Sequence, residues 1–256
     1  MLLLKTLFNR KLEMINRKLE IKKCHNNFEY FLSQYIRFRN DPNNIIDLYD
    51  FQEKYIDDMR NYKLMLVPKY RQGGFTSLAV YYKLWQFFFG DKRVIASVFG
   101  NLHQADCAFE MCFFNISRIP NWLIKNIVID RHHRLMCLDN GNIIQFGDFQ
   151  TSLSNTTDVL IDECPTLNEF RKFQILKSEN SDTSVVAICN GGFLKNQLHY
   201  NWFYNEMLLC KKNQSPFHLS QFDWRDHPGY TPQKVRCIRA TLTKDVWRTE
   251  MECEWL

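Results

Sequence analysis

The sequence predicts an α/β fold, a mostly parallel sheet flanked by helices, and three observations carry that prediction. Short continuous apolar runs recur along the chain, longer stretches with helical periodicity lie between them, and an Asn-Gly pair joins two of the runs as a hairpin. Continuous apolar runs mark strands buried on both faces, the environment of a parallel sheet covered by helices.

The elements follow in chain order. Residues 1–44 read as a charged, amphipathic helical lead, with Leu12, Ile15 and Leu19 and then Phe28, Phe31, Leu32 and Tyr35 at helical spacing. The break Arg-Asn-Asp-Pro-Asn-Asn ends it, because Pro42 disfavours helix at the preceding residue and Asn and Asp favour turns. From Ile45 the texture changes, and residues 45–198 form the expected core. Its strands are Leu64 to Val67, Val94 to Phe99, Val159 to Ile161 and Val185 to Ile188, with helices over Thr76 to Phe89 and Leu102 to Ile116. The runs Leu-Met-Cys-Leu and Ile-Ile-Gln-Phe flank Asp-Asn-Gly-Asn, and Asn140-Gly141 signals a type I′ hairpin turn. Residues 199–256 are aromatic-rich and less regular and form a small C-terminal segment. Thr231 before Pro232 fits a capped helix start, and Thr243 caps a last helix carrying Val246, Trp247, Met251 and Trp255.

Composition narrows the class. The chain has 256 residues, 45% hydrophobic and 24% charged, which excludes collagen-like, low-complexity and disordered chains. No run is long enough for a membrane span, and the opening three-Leu stretch is too short for a signal peptide. Nine cysteines, an odd set without a CxxC pair, point to free thiols in a reducing compartment. His132, His133 and Cys137 come nearest to metal spacing but lack a second cysteine pair, so they read as incidental. The net charge of +5 permits a polyanionic partner without identifying one.

The chemistry concentrates at strand ends. Lys69 to Ser77, a stretch containing Arg71, Gln72, Gly73, Gly74, Phe75 and Thr76, lies between a buried strand and a long helix. Such a loop aims backbone N–H groups at an anion on a helix N-terminus, and glycine permits close approach. Against the G-x-x-x-x-G-K-[ST] phosphate loop it departs twice, with Lys69 at the first glycine position and Phe75 at the lysine position. Lys69 or Arg71 could reach back over the loop and supply the missing cation, Arg71 bidentately. Downstream, Val159, Leu160 and Ile161 run into Asp162-Glu163. An apolar strand ending in two carboxylates suits Mg²⁺ binding by the first and activation of water by the second. The strand ending at Cys189 and Asn190 would bring Asn190 to the same crevice, since ligands of open α/β sheets bind at the carboxyl ends of strands. Gln52, upstream, offers a donor and an acceptor side by side for an adenine.

In this order, the Asp-Phe-Gln helix start, Lys69 to Ser77, the Asn-Gly hairpin, Val-Leu-Ile-Asp-Glu-Cys-Pro and the strand into Cys-Asn-Gly-Gly resemble the ATPase domain of the large terminase subunit of tailed bacteriophages. The resemblance covers residues 45 to 256 and implies an additional-strand, RecA-like P-loop NTPase that packages viral DNA into procapsids. It implies ATP and Mg²⁺ as cofactors, Thr76 and Asp162 at the metal, and Glu163 as catalytic base. Gln52 becomes the adenine-side glutamine and Cys189/Asn190 the coupling motif, although that motif departs from the family's Ser/Thr-rich form. The implied partners are double-stranded viral DNA, a portal protein, a small terminase subunit and further copies in a ring, in the host cytoplasm. Arg118, Arg131 and Arg134 are candidates for an arginine acting in trans. A helicase-like P-loop ATPase and a degenerate P-loop module that binds capsid or portal without turnover are the competing readings.

The family's full protein also carries a nuclease domain built on clustered carboxylates, and Glu250, Glu252 and Glu254 on the last helix read as solvated rather than as its ligands. These residues are therefore expected to lack nuclease activity. Mg²⁺-dependent DNA cleavage by the purified chain, unchanged by Glu163→Gln, would overturn that expectation.

Overall fold

The computed structural model describes residues 2–124, 126–148, 150, 151, 153, 155–163, 182–191 and 201–256, with the side chains of 2–10 and 201 outside that description. The expected boundary at 198/199, Gly192 and Cys164 also lie outside it.

Among the described residues, eight strands form one sheet in the order β3-β4-β5-β2-β6-β7-β1-β8. These are β1 (Leu64–Pro68), β2 (Val94–Val98), β3 (Ile127–Asp130), β4 (Leu135–Leu138), β5 (Ile143–Gly147), β6 (Asp158–Asp162), β7 (Ser184–Cys189) and β8 (His218–Leu219). From β5 to β8 all neighbours are parallel, and β4 runs antiparallel to both β3 and β5. All five residues of β6 are buried, as are four of the five in β1 and in β2. That two-sided burial explains their unbroken apolar sequence. The strand β7 separates β1 from β6, so the loop after β1 and the acidic end of β6 sit two strand positions apart.

The helices are α1 (Leu2–Asn26), α2 (Phe28–Tyr35), α3 (Asp50–Asn61), α4 (Phe75–Phe89), α5 (Leu102–Ile116), α6 (Asn201–Lys211), α7 (Pro232–Thr241) and α8 (Lys244–Glu250). The principal core joins α2 through Phe28, Phe31 and Leu32 to α3, α4 and α5, and extends to Phe222, Tyr230, Trp247 and Met251 near the C-terminus. A smaller cluster on Leu66, Val159 and Ala187 packs Phe203 and Phe217. Thr231 and Thr243 cap α7 and α8 as expected from the sequence, and Asn27 and Asn101 cap α2 and α5.

Two sequence expectations need correction, and two short strands were not anticipated. The Asn140-Gly141 hairpin is not type I′, which needs positive φ at both central residues. Gly141 alone has it (+87°), while Gly141 N–H donates to the Leu138 carbonyl and Leu138 N–H to that of Asn142. The turn is thus a type I turn around Asp139-Asn140 followed by a left-handed glycine. The last helix stops at Glu250; Cys253 turns the chain with φ +53°, so Glu252, Glu254 and Trp255 lie beyond it. The two short strands β3 and β8 had no sequence signal of their own, because β3 is only half-buried and β8 has two residues.

Beneath β6 lies a buried charge cluster. Asp158 accepts from Lys83 Nζ (3.1 Å) on α4, from an Arg93 guanidinium nitrogen (3.0 Å) and from the Thr157 hydroxyl (2.8 Å). Both Lys83 and Asp158 are almost wholly enclosed. Burial pushes the Asp158 carboxyl up, but the charges of Lys83 and Arg93 outweigh it and hold it below the ordinary carboxylate range. Burial also pulls Lys83 down, only partly offset by Asp158. Because the folded-state pKa of Asp158 is depressed, its stabilisation is present above the unfolded carboxylate pKa and is lost as pH falls through the folded value. Asp158→Ala strands a buried ammonium and should cost about 3–5 kcal/mol in urea unfolding. Lys83→Met should cost less, since Arg93 and Thr157 still hold the carboxylate; equal losses would show that those two do not compensate for the lost ammonium.

Candidate nucleotide-binding site

The residues after β1 form a loop that cannot continue as strand. Gln72 (φ +62°) and Gly74 (φ +81°) both take left-handed conformations, and α4 starts directly at Phe75. A Cβ at Gly74 would meet Gln52 Nε2 at 2.9 Å, and one at Gly73 would meet the Phe75 ring at 2.3 Å. The glycine pair is therefore required by conformation at Gly74 and by close approach at Gly73. The loop caps a cleft of about 410 Å³ lined by Lys69 to Ser77, Asp162, Glu163, Asn190 and Glu250.

At its floor, Lys69 Nζ donates to Asp162 Oδ1 (2.5 Å) and to Thr76 Oγ1 (2.9 Å), while the Thr76 hydroxyl donates to Asp162 Oδ2 (2.8 Å). The lysine of the loop entrance thus brings its charge to Asp162, the carboxylate that ends β6. Arg71, the other candidate cation, is mostly exposed and lies 3.5 Å from Glu250.

Phe75 does not face the cleft chemistry with its side chain. Its ring is buried among Phe51, Tyr55, Tyr70 and Phe222, at centroid distances of 5.1–5.8 Å. Burial first, and then the Asp162 carboxylate, hold the neighbouring Tyr55 hydroxyl well above its usual pKa.

Glu163 follows Asp162 with φ +57°, and its backbone N–H donates to Asp162 Oδ1 (3.1 Å). Gln104, in the first turn of α5, donates its amide to Glu163 Oε2 (2.7 Å). Gly100 lies against both side chains, since a Cβ there would meet Gln104 Oε1 at 3.0 Å and Glu163 Oε2 at 3.1 Å.

Gln52 braces the loop from outside the cleft. Its Nε2 donates to the Gly73 carbonyl (3.0 Å) and its Oε1 accepts from Tyr49 N–H (3.2 Å), so backbone groups occupy both ends of the amide. Cys189 is buried, with its carbonyl taken by Lys69 N–H (2.8 Å). Asn190 reaches the cleft and donates to Glu250 Oε2 (2.7 Å), leaving its own Oδ1 buried and unpartnered.

The sequence missed three members of this site. Glu250 at the end of α8 is engaged by Arg71 and Asn190 rather than solvated. Tyr230 donates its hydroxyl to the Arg71 carbonyl (2.6 Å), and Gln104 holds Glu163. Glu252 and Glu254 belong elsewhere, on Trp247 and Arg248. The arginines near the hairpin lie outside the cleft. Arg131 pairs with Glu110 and Arg134 with Asp106, and Arg118 rests on the Phe114 ring. His133 pairs with Asp130, and among the described residues no three His, Cys, Asp or Glu side chains converge as a metal cluster.

The chain superposes on the HK97 bacteriophage large terminase with a TM-score of 0.68 at 12% identity, over 90% of this chain and 55% of that one. The fold is that of a phage large terminase ATPase domain. The Thermus phage P74-26 large terminase ATPase domain matches with a TM-score of 0.62 at 14% identity, over 82% of this chain and 94% of that one. A large terminase from a thermophilic bacteriophage, in complex with ATP-gamma-S, matches with a TM-score of 0.62 at 11% identity, over 82% and 53% of the two chains. The chain thus spans about half the length of the HK97 and thermophilic-phage proteins and nearly all of the P74-26 domain. No protein-family profile and no curated protein matches the sequence.

Gly74→Ala adds a Cβ in a left-handed position and against Gln52. A loss of about 1–2 kcal/mol in urea unfolding is expected from the backbone alone, together with weaker nucleotide binding. Gly141→Ala, where the added Cβ meets nothing within 4 Å, should lose stability only.

Proposed function

We propose that this chain is the ATP-hydrolysing motor portion of a large terminase and translocates double-stranded viral DNA into procapsids. The observation that carries the reading is the convergence of Lys69, Thr76, Asp162 and Glu163 in one cleft beneath a glycine loop at the carboxyl edge of the sheet.

The loop amides at the start of α4 would face the phosphates, which suits the partial positive charge of a helix N-terminus. Thr76 and Asp162 form a hydroxyl–carboxylate pair that fits Mg²⁺, and a cationic ammonium already occupies its mouth. When bound there, Mg²⁺ would neutralise charge on the β and γ phosphates. Lys69 would then turn from Asp162 to phosphate oxygens, supplying the cation that Phe75 cannot. Glu163 would accept a proton from the attacking water, oriented by Gln104. Asn190 would present its unpartnered Oδ1 to the same region, and its contact with Glu250 would tell the C-terminal segment which nucleotide is bound. The solved large terminase in complex with ADP supports reading this cleft as a nucleotide site.

In this reading a ring of copies engages a portal protein and a small subunit in the host cytoplasm, and an arginine from a neighbouring copy completes the site. Among the described residues no helix is long and apolar enough to cross a membrane.

Glu163→Gln should lower the ATP hydrolysis rate by about 10²–10⁴-fold while ATP still binds with near-native affinity in equilibrium titration. Retained turnover would refute the role of Glu163. Absence of ATP hydrolysis by the native chain, with or without duplex DNA, would favour a non-catalytic module, and strand separation would favour a helicase.

A further inference from the structure

The body of the protein covers one side of the first helix from Glu20 onward, while residues 11–19, Met14 among them at 59%, are exposed all round. On the inner face Cys24 is fully buried with its carbonyl accepting from Trp85 Nε1 (2.7 Å), and Ile21 packs on the core. On the same side Glu20 accepts from the hydroxyls of Tyr30 (2.8 Å) and Tyr35 (3.0 Å), and the Arg17 guanidinium lies over the Trp122 ring.

The opposite face carries Leu12, Ile15 and Leu19, which are 48%, 47% and 54% exposed. Their spacing of three and then four residues makes a single narrow stripe along the helix, the width of a helix–helix seam rather than of a membrane-embedded face. The stripe runs into a shallow hollow of about 610 Å³ between α1 and α2, where Leu19 and Tyr30 are joined by Asn16, Glu20, Lys22 and Lys23.

The charges flanking the stripe select its occupant. At 100° per residue, Lys11, Lys18 and Lys22 line one edge and Asn16 and Lys23 the other. Both acidic residues of this stretch, Glu13 and Glu20, lie off the stripe and already hold partners, although Glu20 also lines the hollow. Glu13 is engaged by Arg17 (2.5 Å), and Glu20 by the two tyrosines. A second copy laid on this stripe would set lysine against lysine in either direction. We infer that the outer face of α1 is a docking surface for an amphipathic helix of a partner protein whose apolar seam is edged by Asp and Glu. Edge charges of this kind fix partner choice in paired helices.

The test uses the full chain and two synthetic four-heptad peptides with Leu at the seam, one edged by Glu and the other by Lys, in fluorescence anisotropy. The Glu peptide should bind and the Lys peptide should not. Leu12→Ser with Leu19→Ser should weaken the Glu peptide by on the order of tenfold or more, with circular dichroism unchanged. Should that variant unfold, the combined Lys11→Glu, Lys18→Glu and Lys22→Glu variant decides, because it should bind the Lys peptide and reject the Glu peptide. Equal binding of both peptides, binding indifferent to the substitutions, or self-association of the chain through Leu12 and Leu19 would overturn the proposal. So would capture of phosphatidylserine vesicles or duplex DNA that depends on Leu12 and Leu19, by assigning the face to another class of partner.

Discussion

Lys69 joins two parts of the sheet that no backbone hydrogen bond connects. The strand β7 lies between β1 and β6, so among the described residues the loop after β1 and the carboxylate ending β6 meet through side chains. The ammonium on Asp162, the hydroxyl of Thr76 on the same carboxylate and the return contact between Lys69 and Thr76 close a three-membered ring of hydrogen bonds. Lys69 and Asp162 are both largely enclosed, where an ion pair is weakly screened and losing one member leaves the other uncompensated. The position of the glycine loop over the sheet is referred to this ring, and so are the cleft and the placement of Glu163 beside it.

A consequence is the division of labour between Lys69 and Phe75. A lysine at the start of α4 would be both cation and first helical residue. Here the cation comes from the loop entrance, and the helix start is free to insert an aromatic ring into the core. Phe75 ties α4 to α3 through Phe51 and Tyr55 and to the C-terminal region through Phe222. Tyr230 and Glu250 approach the same loop from its other side. A loop that departs from the common pattern is thus held by three separate stretches of chain.

Much of this was legible in the sequence. Fully buried strands such as β6 announce themselves by unbroken apolar runs, and the Thr231 and Thr243 caps by their position before a helical pattern. The ordered pair of loop and acidic strand end located the cleft. What stayed hidden depends on tertiary contact. Gln104, Tyr230 and Glu250 are ordinary surface-type residues in sequence, and only folding brings them to Glu163 and Arg71. Gln52 was visible as a polar residue near the site, but its two backbone partners, one of them Gly73, could not be read from local pattern. Lys83 is a polar residue in a largely apolar helix, and nothing nearby in sequence names Asp158 as its counter-charge.

That last pair has a mechanical meaning. Asp158 and Asp162 open and close β6 on the same face of the strand, and Thr76 and Lys83 stand two turns apart on one side of α4. The strand span is about 13 Å at 3.3 Å per residue, and the helix span is about 10 Å at 1.5 Å per residue, so the two contacts sit at corresponding heights. Helix and strand are riveted at both ends. Pivoting one against the other would pull apart a buried ion pair, whereas moving both together leaves it intact. A movement at the cleft that carried α4 and β6 together would leave the Lys83–Asp158 pair whole at the opposite end of the strand, where Asp158 also meets Arg93.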